Sequence, residues 1–396
     1  MQNERILRAN VWKLYLLSAG RGFMVMMPTI VLFFQENGLT MAEIFILQSV
    51  FSVAIVVFEI PSGYFADKIG RKASLVIGTI CAFISFVVYS FAYGFWPILV
   101  AEIILGIGYA FKSGADSALL YDTLVEIKET DTYKKREGNL LAASTFAEAV
   151  ASIIGGFIAL MSLRAPIVAQ AAVTFFLIPV ALTLKEPMRR MLSPEHALWN
   201  MRSVIAHTLH HNRFLKWLIF FYAIVNSLGL ILVWFRQPYL QDTGVPLAYF
   251  GFIWAVLMLA VSFASLSAHS FEGRFGRLHS LWILLLMGVI GFGILGSSIS
   301  LWLIPAMLLF SIIRGLQEPI IKDYVQQHAE SDFRATVLSI KGFVSRALFA
   351  ILGPIAGWAS DIYSLQFALL ASGGFLLVFG AFSLIMVRRY ERPARV

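Results

Sequence analysis

Ten ionisable residues stand where long apolar runs leave little water to hold them: Arg21, Lys112, Arg236, Arg314, Lys341 and Arg346, with Glu102, Asp116, Glu148 and Glu318. A charge facing lipid costs on the order of 2.5–3.5 kcal/mol on insertion scales, so these groups are expected to face a polar interior and to pair. Spacing offers two pairs, since Lys112 and Asp116, and likewise Arg314 and Glu318, are four residues apart on one helical face. Cations outnumber acids in the set, which favours carboxylates or phosphates as ligands; a pocket for lipophilic cations would present acids among aromatics. Depth along the runs puts Arg21, Glu148, Arg314 and Arg346 near the middle of the bilayer and Glu102 and Arg236 closer to the outer rim; the first four, with Lys112 and Glu318, are the candidate substrate-binding residues. Glu148, Glu318 and Asp116 are the candidate proton carriers, because desolvation raises a carboxyl pKa toward working pH. The alternative is that these charges are structural ion pairs holding helices in register.

Other chemistries find no support. The single cysteine, Cys81, lies inside an apolar run, so there is neither a disulfide framework nor a cysteine metal site. His207, His210 and His211 span one helical turn near His196, but carboxylate or cysteine partners at matching positions are missing. They read as a solvated amphipathic face, and no metal or cofactor is expected. The phosphate-binding pattern G-x-x-x-x-G-K-S/T is absent, as is a Ser/His/Asp arrangement. An enzyme is not expected. The net charge of +8 is scattered through short loops, which argues against nucleic acid.

One stretch is more specific. In GYFADKIGRK, Gly63 to Lys72, a knot of glycine and charge lies between two apolar runs. Gly63 lets backbones approach closely, Gly70 can take a positive φ, and Asp67, Lys68, Arg71 and Lys72 supply both signs of charge. The pattern resembles the loop between helices 2 and 3 of the major facilitator superfamily, G-x-x-x-D-R/K-x-G-R-R/K. That resemblance implies a cytoplasmic gate built from Gly63, Asp67, Gly70, Arg71, Lys72 and Asp122, with Asp67, Arg71 and Asp122 forming a charge network that tightens in the outward-open state. SFEGRFGR, Ser270 to Arg277, is a degraded copy: Gly276 answers Gly70 and Arg277 answers Arg71, but Gly273 replaces Asp67. A charge latch is therefore expected in the N-terminal half alone. The chain also departs from the family. Glu102 precedes Gly106 where many proton-driven members carry Arg, and Gly155-Gly156 lacks the proline of the antiporter signature.

Positioning these residues requires membrane helices. With 59% hydrophobic and 14% charged residues, the 396-residue chain lies far outside soluble composition. Runs long enough to cross a bilayer predict twelve spans at 11–35, 43–66, 73–93, 96–121, 138–162, 165–184, 214–238, 246–270, 279–298, 301–323, 334–358 and 363–387. The first run lacks the small-residue exit of a cleavable signal, so the N-terminus is expected to be retained. With both termini cytoplasmic, lysine and arginine gather in inside loops and only Arg164 falls outside.

The expected fold is an all-α membrane protein with twelve transmembrane helices in two pseudo-symmetric six-helix halves. The halves are residues 1–184 and 214–396, joined by a cytoplasmic linker at 185–213 with an amphipathic helix. Arg136 and Gly155 recur at the same offset as Arg334 and Gly353, which aligns Glu148 with Arg346. These two are expected to face each other across a cavity.

The function expected is secondary active transport of a small organic anion or zwitterion across the cytoplasmic membrane by alternating access. The preferred form is proton-coupled export of a carboxylate metabolite or siderophore-like compound. Multidrug efflux, import of an organic anion and lipid flipping stand as alternatives. The resemblance further implies a monomer whose partners are its substrate and the lipid bilayer.

Overall fold

The computed structural model describes residues 2–188, 212–328 and 334–391. The linker helix expected around His196, His207, His210 and His211 lies outside the described residues. Within them every regular element is helical: α1 Gln2–Gly22, α2 Ile30–Glu36, α3 Met41–Lys68, α4 Arg71–Phe91, α5 Phe95–Lys112, α6 Ala115–Glu126, α7 Tyr133–Ile158 and α8 Ala165–Leu182. There follow α9 Arg213–Asp242, α10 Ala248–Phe275, α11 Arg277–Ser297, α12 Met307–His328 after a 3-10 turn, α13 Arg334–Ile362, and α14 Leu365–Phe375 running through a π-turn into α15 Ala381–Tyr390. Eleven spans among the described residues are long and apolar enough to cross a membrane. Large apolar side chains such as Phe176, Leu266 and Trp302 lie exposed, as lipid-facing surfaces require.

The predicted first span, 11–35, is not one helix. It divides into α1 and the short α2, joined by turns over residues 23–29. Charge at Glu4, Arg5, Arg8, Lys13 and Arg21 dilutes its apolar character, and Pro28 cannot donate a helical hydrogen bond. The break is built in. The Val25 N–H donates to Gln170 Oε1 at 2.8 Å, and Gly155 on α7 leaves room for the Val25 carbonyl. The predicted fourth span, 96–121, is also interrupted, because Gly114 adopts the left-handed conformation (φ +72°) between α5 and α6.

Contacts group the described residues into two compact units. Of these residues the first gathers 2–39, 50–188 and 246–256; the second gathers 40–49, 212–245, 257–328 and 334–391. In the first unit α1 packs on α7, and α4 on α5 and α8; in the second α9 packs on α13, and α11 on α12 and α14. These are the same span pairings repeated, and they give the sequence repeat a structural meaning. The start of α3 belongs to the second unit. Its Thr40 and Glu43 form a reciprocal capping box, and the Asp361 carboxylate accepts the Met41 and Ala42 N–H groups at 3.0 and 2.8 Å.

In the first unit Arg164 closes the end of α4. Its guanidinium donates to the carbonyls of Ser90 and Ala92 at 2.9 and 3.0 Å and to Asn37 Oδ1 at 3.1 Å, and it lies 4.2 Å from the Tyr93 ring centre. Tyr89, beside it, has Glu102 as the partner of its hydroxyl, which accounts for an acid inside a span. Arg164→Ala removes a charged donor from several carbonyls, so thermal unfolding in detergent is expected to show a loss of about 2 kcal/mol.

Candidate functional site

The first unit concentrates charge around its two helix breaks. Arg21 occupies the last turn of α1, Lys112 the last turn of α5 and Asp116 the first turn of α6. Arg21 Nη1 bonds Asp116 Oδ2 at 2.8 Å, and Lys112 lies within electrostatic range of both. The stem of Lys112 runs over Gly78, where a Cβ would come within 2.7 Å of it. Lys112 and Asp116 therefore do not make the intrahelical pair that their spacing suggested. The left-handed Gly114 between them ends one helix and starts another, so the i, i+4 geometry is lost. Tyr109 senses the charges of both Arg21 and Glu148. The Glu148 carboxylate takes a bond from the Trp254 indole N–H at 3.3 Å.

The second unit has its own cluster. Glu318 on α12 accepts from Lys341 Nζ at 2.6 Å and from the Tyr222 hydroxyl at 2.8 Å, while the ammonium also lies 4.2 Å from the Tyr222 ring centre. Arg314 and Arg346 both act electrostatically on Tyr222. Asn226 Nδ2 donates to Ser345 Oγ at 2.7 Å, and Gln317 Nε2 to the Tyr222 carbonyl at 3.1 Å. Here too the intrahelical pair is replaced: Glu318 bonds Lys341, not Arg314. Lys341 is only 6% exposed, so its ammonium has far more to gain from the carboxylate than the exposed Arg314 has. Glu148 lies in the first unit and Arg346 in the second.

Tyr109 and Tyr222 were not singled out in the sequence. The signal for them was a tyrosine within a span, whose hydroxyl needs a partner when buried.

The GYFADKIGRK turn organises a third cluster. Gly70, at φ +147°, ends α3, and Arg71 starts α4 with its guanidinium paired to Asp122 and bonded to the Ala118 carbonyl at 2.5 Å. The carboxylate that completes this network is Glu186, not Asp67. Glu186 accepts the Arg71 and Lys72 N–H groups at 2.9 and 2.8 Å, capping α4, whereas Asp67 is exposed and forms no ion pair among the described residues. Lys72 contributes backbone alone to these bonds, and a Cβ on Gly63 would meet nothing within 4 Å.

The corresponding turn of the second unit, where the sequence led us to expect no acid beside the arginine, has a charge cluster of its own. Arg277 pairs with Glu272 at 2.9 Å and Asp323 at 3.3 Å, and bonds Gln327. Glu272 lies one position before the Gly273 that replaced Asp67, so the acid was displaced in the sequence and not lost.

With the repeated packing and both turns in place, comparison with known proteins decides the family. The Major Facilitator Superfamily model matches residues 14–354. The chain belongs to that superfamily. It is a multi-pass membrane transporter, not an enzyme. Among its relatives, the class H tetracycline resistance protein of Pasteurella multocida is 22% identical, over 83% of this chain and 84% of the relative. The multidrug resistance protein MdtG of Proteus mirabilis (strain HI4320) is 26% identical, over 68% of each chain. The crystal structure of the nucleoside transporter NupG superposes with a TM-score of 0.81 at 15% identity, covering 96% of this chain and 100% of the other, a likeness of fold.

Glu186→Ala is expected to cost about 1 kcal/mol of capping energy, or roughly fivefold in the equilibrium of any step that makes or breaks the cap. Transport rate in proteoliposomes should shift by that factor while the melting temperature stays close to the parent's.

Proposed function

We propose that the protein is a secondary active transporter that exports a small organic anion or zwitterion, in exchange for protons, by alternating access. The observation that carries the ligand class is the charge balance of the second unit. There Glu318 is bonded to Lys341 and Tyr222, and the charges of Arg314 and Arg346 also act on Tyr222, so three cations gather around this acid among the described residues. Arg21, Lys112 and Asp116 contribute the counterpart in the first unit. Export is favoured by the two relatives named as resistance proteins. Their names also keep efflux of amphiphilic drugs as the second reading.

Glu148 is the preferred proton carrier. Asp116 and Glu318 each bond a cation, whereas the bond to Glu148 comes from a neutral indole, so a proton can be gained without breaking an ion pair. In this reading both termini lie in the cytoplasm, the membrane is the cytoplasmic one and a single chain is the working unit. In this reading the Arg71–Asp122–Glu186 network tightens in the outward-open state.

The test is counterflow in proteoliposomes against a panel of organic anions, zwitterions, amphiphilic cations and lipids, with and without a pH gradient. Transport of carboxylates driven by the gradient, reduced at least tenfold by Glu148→Gln, is expected. Transport of lipophilic cations alone would overturn the ligand class. Arg346→Glu should abolish transport and Glu148→Arg in the same chain should restore part of it. A fully active Arg346→Glu single variant would end the opposed-charge reading.

A further inference from the structure

The second unit contains a cavity that shares Arg314 with the proposed ligand-binding cluster but reaches further into the bundle, to Arg236. Its volume is about 100 Å³, and its walls include Arg236 from α9 and Arg314 from α12, the amides of Asn226 and Gln317, and the rings of Phe292 and Phe310. The lining contains two guanidinium groups and no carboxylate. Arg236 is 3% exposed, deep in the bundle. Both amides are held in place, Asn226 by Ser345 and Gln317 by the Tyr222 carbonyl, and the two rings lock edge to face at 4.6 Å, so the walls are fixed.

Size narrows the occupant. A water needs about 10–15 Å³ of such space, so the cavity holds several waters, or one small anion with waters around it. Pockets for whole drug-sized ligands run to roughly 300–1,000 Å³. Two arginines in the lining of a small, partly apolar chamber, one of them buried, favour negative charge there, and low-dielectric walls strengthen the effect.

We propose that this cavity is an anion site, holding one small monovalent anion between Arg236 and Arg314, either free chloride or the carboxylate of a bound substrate. The site does not depend on the proposed substrate class, because chloride binding would stand even if the transported compound were neutral.

The experiment follows thermal unfolding of the purified full-length protein at constant ionic strength in sodium gluconate, chloride, bromide and formate. An anion at ten times its dissociation constant should raise the melting temperature by about 2 °C. If chloride and bromide do so, the free halide is the occupant; if formate alone does, the cavity takes a carboxylate. Asn226→Asp places a carboxylate in the lining at unchanged size, and the Ser345 hydroxyl, which accepts from the Asn226 amide in the parent, can turn to donate to it. That variant is expected to fold in gluconate and to lose the anion response. Arg236→Gln should lose it too, with a lower melting temperature throughout. Equal melting temperatures in all four salts, or an Asn226→Asp response equal to the parent's, would overturn the site.

Discussion

Gly155→Ala is expected to be among the most damaging single-methyl additions in this protein. A Cβ at position 155 would lie 1.9 Å from the Val25 carbonyl oxygen and 2.9 Å from its carbon, and that carbonyl is main chain within the break between α1 and α2. Neither side can yield cheaply. Val25 is tied through its N–H to Gln170, and farther back on α7 the Ser144 carbonyl would lie 2.1 Å from a Cβ placed on Gly22. The methyl must push the break off the helix, at about 3 kcal/mol or more, near the upper end of overpacking costs. Detergent-solubilised protein should show a melting temperature lowered by about 6 °C, or little monodisperse protein at all. Gly138 is the internal control. It lies on the same helix, and a Cβ placed there would meet nothing within 4 Å, so Gly138→Ala should be neutral or stabilising by up to about 1 kcal/mol. Equal stability of the two variants would refute the close approach.

Glu318→Gln is expected to be more harmful than Lys341→Met, although both remove the same ion pair. The lysine side chain is 6% exposed and the glutamate 54%. Removing the glutamate strands a buried ammonium, which costs about 3 kcal/mol. Removing the lysine leaves a carboxylate that reaches solvent and keeps its bond from Tyr222, at about 1 kcal/mol. The double variant should recover most of the loss, because no charge is then left without its partner. Thermal unfolding of the four proteins gives the cycle; equal single-variant losses, or strict additivity, would contradict it.

Much of the fold was legible as apolar run length. Eleven of the spans stand close to their predicted limits, because crossing hydrocarbon demands a helix of about 20 residues whatever its neighbours. The breaks were not legible in that way. A hydropathy run does not register dihedral angles, so Gly114 passed as an ordinary small residue, although Gly22 and Pro28 did flank the first break. The site charges were legible as a set but not as pairs. Spacing along one helix sees neighbours at i+4, whereas the partners of Asp116 and Glu318 come from other helices. Glu186 was hidden for the same reason, since it lies over a hundred residues from the Arg71 N–H it caps.

The two breaks in the first unit do more than bend the chain. Each creates helix ends in the interior, and the end charges match the residues placed there. Arg21 and Lys112 lie in last turns, where the helix dipole is negative, and Asp116 lies in a first turn, where it is positive. Main-chain dipoles thus serve these three residues as a fixed solvent in place of water. In the second unit α12 runs unbroken through Arg314 and Glu318, and side chains alone answer their charge. Side chains can exchange partners during a transport cycle and backbone dipoles cannot. Of the two units, the second is therefore the one in which the Glu318–Lys341 charges are held by side chains with no helix end beside them.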